Sequence, residues 1–405
     1  MGSEKSGMDR GLNECLQEKE RILGRLFRIH GTIRSVRMYL KNIQAKKRFS
    51  CETWMNRQDV IAAISTDMYT GFAECLLSVN LPDADLNEFA RPCRNLIGMS
   101  VGDAFQFLRR NQGKWNERLF EMTEMALLDL AGKTEEVPAN DLLDLNTVSP
   151  ISGVHVILSD LPDEVSKSTA WTKENGKAFF IKVKLFGNEK VDLSVIRAVR
   201  KQCPEDTTFL IGDVNCGYRP HGSTIPEEDA VPCIAAHLKV LKEAGLNACE
   251  DPADLSVDGW VKLQEATGNL ILIPDEPLRC SRKSLYSIRR GMGAVYNIHP
   301  DSAGSLIDAV ILAQRIRQLG AGIMIGDDSL VGPSCSIWQQ TAAGLQAEWV
   351  EATEKRKESD FYCRCVRSLA TDSSVNPIQI RLQPGYGIDI DEELLLQECT
   401  RYVFS

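Results

Sequence analysis

From Val154 onward the chain repeats one rhythm: a short apolar run that ends on a polar residue, then a stretch of helical periodicity. The runs are VHVILSD, AFFIKVKL, TFLIGDVN, ACEDP, LILIPDEP, AVYNIHP and GIMIGDD. Between them lie segments such as DLSVIRAVRKQ, AVPCIAAHLKVLKEAG, SVDGWVKLQEATG and AGSLIDAVILAQRIRQLGA. Alternating units of this length imply a parallel sheet covered by helices. Seven or eight of them favour a closed (β/α) barrel over an open sheet.

The segment before the barrel is different in kind. A chain of 405 residues exceeds the ~250–300 at which one core stops growing, so a second domain is expected. Residues 1–25 suggest an amphipathic helix, with Leu12, Leu16, Ile22 and Leu23 among charges, suited to docking or to contact with another copy. Residues 26–150 read as a small α+β domain. TIRSVRMYLKNI and AECLLSVNL look like strands separated by the polar stretch QAKKRFSCETWMNRQ, and helical patterning runs from Cys93 to Leu143 with a stop at Gly132.

Bulk properties narrow the function. A net charge of −9 argues against nucleic acid or an anionic membrane as the main partner. There is no ~20-residue apolar span, and the charged N-terminus lacks a signal-peptide core, so a cytoplasmic protein is expected. The 13 cysteines are scattered without zinc-finger spacing and read as reduced thiols. GMGAVYN and GDDSLVGPSC fit no nucleotide or phosphate loop, and Cys335 has no evident base beside it.

In a barrel the polar ends gather on the C-terminal face, where active sites lie. Here they are Lys182 and Lys184, Asp213 with Asn215, Glu250, Asp275 with Glu276, His299, and Asp327 with Asp328. Strand alternation puts Lys182 and Lys184 on one face with Val183 opposite. Asp213, Glu250 and Asp275 close three successive strands, and three converging carboxylates would repel unless a hard divalent cation such as Mg²⁺ sat between them. A lysine near that cation and near a second lysine has a lowered pKa and can accept the proton beside a carboxylate that the cation binds.

The order KxK, DxN, EDP, PDE resembles the enolase superfamily, and within it the mandelate racemase/muconate lactonizing proteins, closest to the muconate-lactonizing branch. The spacings agree: 29 residues from Lys184 to Asp213, 25 from Glu250 to Asp275 and 24 from Asp275 to His299. The Asp213–Glu250 interval is longer, with CGYRPHGSTIPEED as the insertion and His221 in it as a surface-loop residue. ALLDLAGK resembles a capping-domain helix, TGFAE a loop over the active site and PGYGIDIDEELL the C-terminal segment.

The resemblance implies a (β/α)7β TIM-like barrel over 151–374, capped by 26–150 together with about 375–405. It implies Lys184 as base, Lys182 as its neighbour, Asp213, Glu250 and Asp275 as Mg²⁺ ligands, and Asn215 and Glu276 behind them. A homo-oligomer acting on a small carboxylate is implied too. One departure stands out. The branch has a lysine at the end of the sixth strand, where this chain has His299, and the seventh ends in Asp327 and Asp328.

A His–Asp dyad with its members exchanged between strands is chemically workable, because imidazole beside a carboxylate is poised near neutral pH. Such a pair suits protonation of a departing hydroxyl, which favours dehydration of a sugar acid. Racemisation or epimerisation and cycloisomerisation are the alternatives, and a barrel that keeps its metal site without catalysis is the rival. Specificity is expected from residues 42–54 and 70–75, where Lys46, Lys47 and Arg48 hint at an anionic substrate.

Overall fold

The computed structural model describes residues 2–50, 52–81, 83–145, 150–355 and 357–404. Helix α1 (Gly2–Leu26) buries Cys15, Ile22, Leu23 and Leu26 along one side. That side is used inside the chain. Lys19 pairs with Asp308 at 2.6 Å on the helix Leu306–Gln318, and Arg25 donates to Asp141 O at 2.8 Å and pairs with Asp144 at 2.9 Å. The face expected to dock thus straps a barrel helix to the neighbouring domain.

The cap is a four-stranded antiparallel sheet with helices. β1 (Ser35–Arg48), β2 (Thr53–Ser65) and β3 (Thr70–Val79) follow one another, and the closing strand Arg401–Phe404 pairs with β1. Two sequence expectations are corrected here. The stretch 44–58, expected as a polar separator, is mostly a β-hairpin: Lys47 faces Trp54 and Arg48 faces Thr53 across it. A strand ladder is held by its backbone, so polar side chains do not prevent it once the apolar half, Val60–Ile64, is buried.

TGFAE is likewise no loop over the site but the buried start of β3. A Cβ at Gly71 would lie 2.1 Å from Ala126 O, so the strand lies flush on the helix Glu117–Thr134 only because it carries glycine there. Glu74 then accepts N–H bonds from Val331, Gly332 and Ser334 at 2.6, 2.6 and 3.2 Å, tying the cap to a barrel helix start. The Glu117–Thr134 helix is N-capped by Asn116 and runs on past Gly132, where a stop was expected.

Among the described residues the barrel has eight strands: β4 (His155–Ile157), β5 (Phe180–Lys184), β6 (Phe209–Asp213), β7 (Ala248–Glu250), β8 (Ile271–Ile273), β9 (Val295–Ile298), β10 (Gly322–Ile325) and β11 (Trp349–Val350). β4 to β8 pair in parallel, as do β9 to β11. Asn297 N donates to Pro274 O at 3.0 Å and Val154 N to Val350 O at 2.9 Å, which closes the ring. Val154, Ile211, Ala248, Ile273, Val295, Met324 and Trp349 fill the interior, and Ile181 and Val183 face the outer helices. Each such buried aliphatic contributes roughly 1.5–3 kcal/mol. Between β8 and β9 the crossover holds a 3-10 turn, Glu276–Leu278, and the short helix Ser281–Ser284. Among the described residues no helix is long and apolar enough to cross a membrane.

Candidate active site

The strand register gathers the expected residues. Lys184 is the lateral partner of Asp213, and Asp213 of Glu250. Lys182 Nζ lies 2.7 Å from Glu351, 3.1 Å from Glu250 and 3.2 Å from Asp213. Lys184 Nζ lies 2.5 Å from Asp213 Oδ2 and donates to Asn215 Oδ1 at 2.9 Å. Burial alone would lower the Lys182 pKa, but Glu250, Glu351 and Asp213 hold it well above the ordinary range. Asp213 is pulled far below the carboxylate range, against its burial, by Lys184 and Lys182. Burial pushes Glu250 the other way, and Asp213, Glu351 and Asp275 reinforce that. Asn297 Nδ2 donates to Glu250 Oε1 at 3.0 Å.

Asp275 stands beside this cluster with its carboxylate on Arg279, 2.6 Å away. Asp251 fixes the local backbone by accepting from Asp275 N and Glu276 N, both at 2.9 Å. Glu276 is half-exposed on the rim, 3.5 Å from Arg279. Among the described residues no three His, Cys, Asp or Glu side chains are arranged around a common metal position. The donor chemistry nonetheless fits a hard cation. Four buried carboxylates, Asp213, Glu250, Asp275 and Glu351, face three basic groups, Lys182, Lys184 and Arg279, and Glu351 Oε1 has no hydrogen-bond partner.

His299 lies across the ring, the first residue past β9. Its Nδ1 is 3.0 Å from Pro300 O and 3.6 Å from Asp328 Oδ1. Both neighbours are acceptors, which suits the tautomer with its hydrogen on Nδ1 and leaves Nε2 as the ring's acceptor. Gly326 makes room, because a Cβ there would lie 2.6 Å from His299 Cδ2. Asp328 is kept ionised, below its ordinary range: burial opposes this, but His299, Arg279 and Arg118 outweigh it. Of the two aspartates only Asp328 meets His299. Asp327 pairs with Lys355 at 2.6 Å and accepts from Leu330 N at 2.8 Å.

The β1–β2 hairpin lies over this mouth. Arg48 pairs with Asp160 at 2.5 Å, Ser50 donates to Val214 O at 2.7 Å and Lys47 to Ser329 at 2.8 Å. The Phe49 ring sits 5.0 Å above Lys184 Nζ. The basic cluster expected to greet an anionic substrate is therefore engaged at Lys47 and Arg48 by the chain's own residues. Residues 70–75 do not line the cavity, which has a volume of about 560 Å³ and includes Phe49, Trp54, Lys184, Asp275, His299 and Asp328 in its wall. His221 is exposed at the rim, paired with Asp254 at 3.0 Å, and Cys335 is buried inside the helix Pro333–Gly344.

Sequence reasoning missed Glu351, because β11 is only two residues long; the polar residue that ends WVE was nonetheless the available signal. Arg279 and Arg118 carried no signal, since their partners are remote in sequence or depend on a turn.

No family model matches the chain. It is 26% identical over 203 residues to the L-Ala-D/L-Glu epimerase of Escherichia coli (strain K12), a match spanning 50% of this chain and 57% of that protein's length. A dipeptide epimerase from Cytophaga hutchinsonii, solved with Mg and the dipeptide D-Ala-L-Val, superposes with a TM-score of 0.70 at 17% identity, over 92% of this chain and 99% of its own. A muconate lactonizing enzyme from Pseudomonas fluorescens, complexed with muconolactone, superposes with a TM-score of 0.72 at 17% identity, over 91% and 100%. The chain has the fold of the enolase superfamily, a barrel under an N-terminal cap in the form of the mandelate racemase/muconate lactonizing proteins.

Proposed function

We propose that the protein is a racemase or epimerase that exchanges the proton on the carbon beside a carboxylate, with a dipeptide or N-acylated amino acid as substrate. One observation carries this reading. β5 and β9 are four places apart in an eight-stranded ring, so Lys184 and His299 face each other across the cavity. Inversion at carbon needs a proton-transfer group on each face, and dehydration does not. The similarity to an epimerase and to a dipeptide epimerase supports the same choice, and nothing in the comparisons supports dehydration of a sugar acid.

Lys184 takes the proton from one face and the negative charge moves onto the substrate carboxylate. The His299 imidazolium returns a proton to the other face, its charge held by Asp328. Lys182, kept cationic among three carboxylates, maintains positive charge below the substrate. Asp213, Glu250 and Asp275 would hold Mg²⁺, which when bound supplies positive charge against the growing enediolate. The cavity of about 560 Å³ is of a size to take a dipeptide.

The test follows deuterium from D₂O into the α-position of L- and D-isomers, by mass spectrometry, across dipeptides, N-acyl amino acids and sugar acids with Mg²⁺. Exchange and inversion that vanish in Lys184→Ala support the reading. Formation of a 2-keto acid by loss of water would return the assignment to dehydration. Inertness toward every compound despite measured Mg²⁺ binding would favour a non-catalytic barrel.

A further inference from the structure

His299 is placed by a loop, and most of that loop's anchors lie in the cap rather than in the barrel. Both oxygens of Glu121, on the Glu117–Thr134 helix, are used on it: Asp301 N donates at 2.8 Å and Gly304 N at 2.7 Å. Glu124, one turn on, accepts from Ser305 Oγ at 2.8 Å and Ile307 N at 3.0 Å. The Asp301 carboxylate accepts from Leu76 N of β3 at 2.6 Å. Arg118, at the start of the same helix, donates to Leu76 O at 3.2 Å and reaches Asp328 Oδ2 at 3.4 Å, where Ser302 Oγ also donates at 3.0 Å. Asp301 has φ +65°, a left-handed kink that aspartate tolerates and that these bonds hold in place.

We infer that the cap sets the second proton-transfer group: Arg118 and Glu121 are positioning residues that hold Asp328 and the 299–304 loop, and through them His299. The inference rests on the reading of His299 as the acid–base group opposite Lys184. Its geometry is one of indirect support, since the Asp328 carboxylate is shared between His299 on Oδ1 and Arg118 with Ser302 on Oδ2. The charged groups around the His299–Asp328 pair are Arg118 and Glu121 from the cap helix, Asp301 from the loop and Arg279 from the segment after β8. Taking away Arg118 removes one cation from this set and leaves Asp328 freer to favour the imidazolium.

The test is an NMR titration of the five histidines, with His299 assigned by its loss in His299→Asn, in wild type, Arg118→Met and Arg118→Lys. In Arg118→Met, His299 is expected to titrate about half a unit or more higher, with Arg118→Lys near wild type. In the exchange assay, Arg118→Met is expected to slow the His299-dependent face about tenfold and to leave the Lys184-dependent face within about twofold. A His299 titration identical in Arg118→Met and wild type, or equal loss on both faces, would overturn the inference. If Arg118→Met does not fold, Glu121→Gln tests the grip on the loop instead: its amide oxygen still accepts one of the two N–H bonds, loss confined to the His299-dependent face is expected, and equal loss on both faces would overturn the inference. Should wild type exchange no proton while His299 still responds to Arg118, the positioning stands and the epimerase reading falls.

Discussion

The two flanks of the cavity are built by different means. On the lysine flank Lys182, Lys184, Asp213 and Glu250 lie within barrel strands, locked by strand register, with Glu351 one residue past β11 and Asn215 in the turn after β6. On the histidine flank, His299 begins a loop gripped by Glu121, Glu124 and Leu76 of the cap, while Arg118 holds its partner Asp328. A rigid ladder needs no outside help to place a side chain to a fraction of an ångström, whereas a loop does. On the proposed function, the group for the first proton transfer would be placed mainly by strand register, and the group for the second by the cap as well.

The comparison can be broken most severely at Lys184. Lys184→Ala is expected to lower exchange from its face by about 10³-fold or more, measured as deuterium uptake by the isomer it serves. His299→Asn is expected to lower exchange from the opposite isomer about 10²-fold while the first isomer still exchanges. A third cut leaves chemistry aside. Glu74→Ala orphans the N–H groups of Val331, Gly332 and Ser334 and should cost about 1–3 kcal/mol, read as a lower denaturation midpoint. Glu74→Gln should cost less, because burial already pushes the Glu74 pKa up to about 8, with Asp59 adding to the shift, and so disfavours its charge.

The last effect is one of pH and vanishes at neutrality. His155, on β4 behind the lysine flank, is lowered to about 4 from 6.5 by burial and by Lys177, so the folded state binds its proton less readily than the unfolded chain. Stability from this group is full above pH 6.5 and is lost as pH falls toward 4. His155→Gln should flatten that part of a Tm-against-pH curve and leave the neutral value nearly unchanged. A curve equally steep in the variant would contradict the assignment.

The barrel was legible because its signal repeats: each apolar run with its polar end strengthens the reading of the others. The same logic failed at β11, where two residues are too few to show a run, and Glu351 was lost with it. β2 was hidden because its first half is polar and its apolar half lacks alternation, being buried on both faces. Asp328 could not be told from Asp327, since neighbours on extended chain point to opposite sides and only the end of β10 decides which one meets His299. Arg118 and Glu121 were beyond reach for another reason: about 180 residues separate them from the loop they hold, and such pairings exist only in the folded chain.

The most direct test of the division between flanks is isomer-resolved deuterium exchange in His299→Asn. The account predicts that the isomer deprotonated by Lys184 still exchanges its α-proton while the other isomer does not, and that inversion stops. Equal loss from both isomers, or inversion that continues without His299, would contradict it.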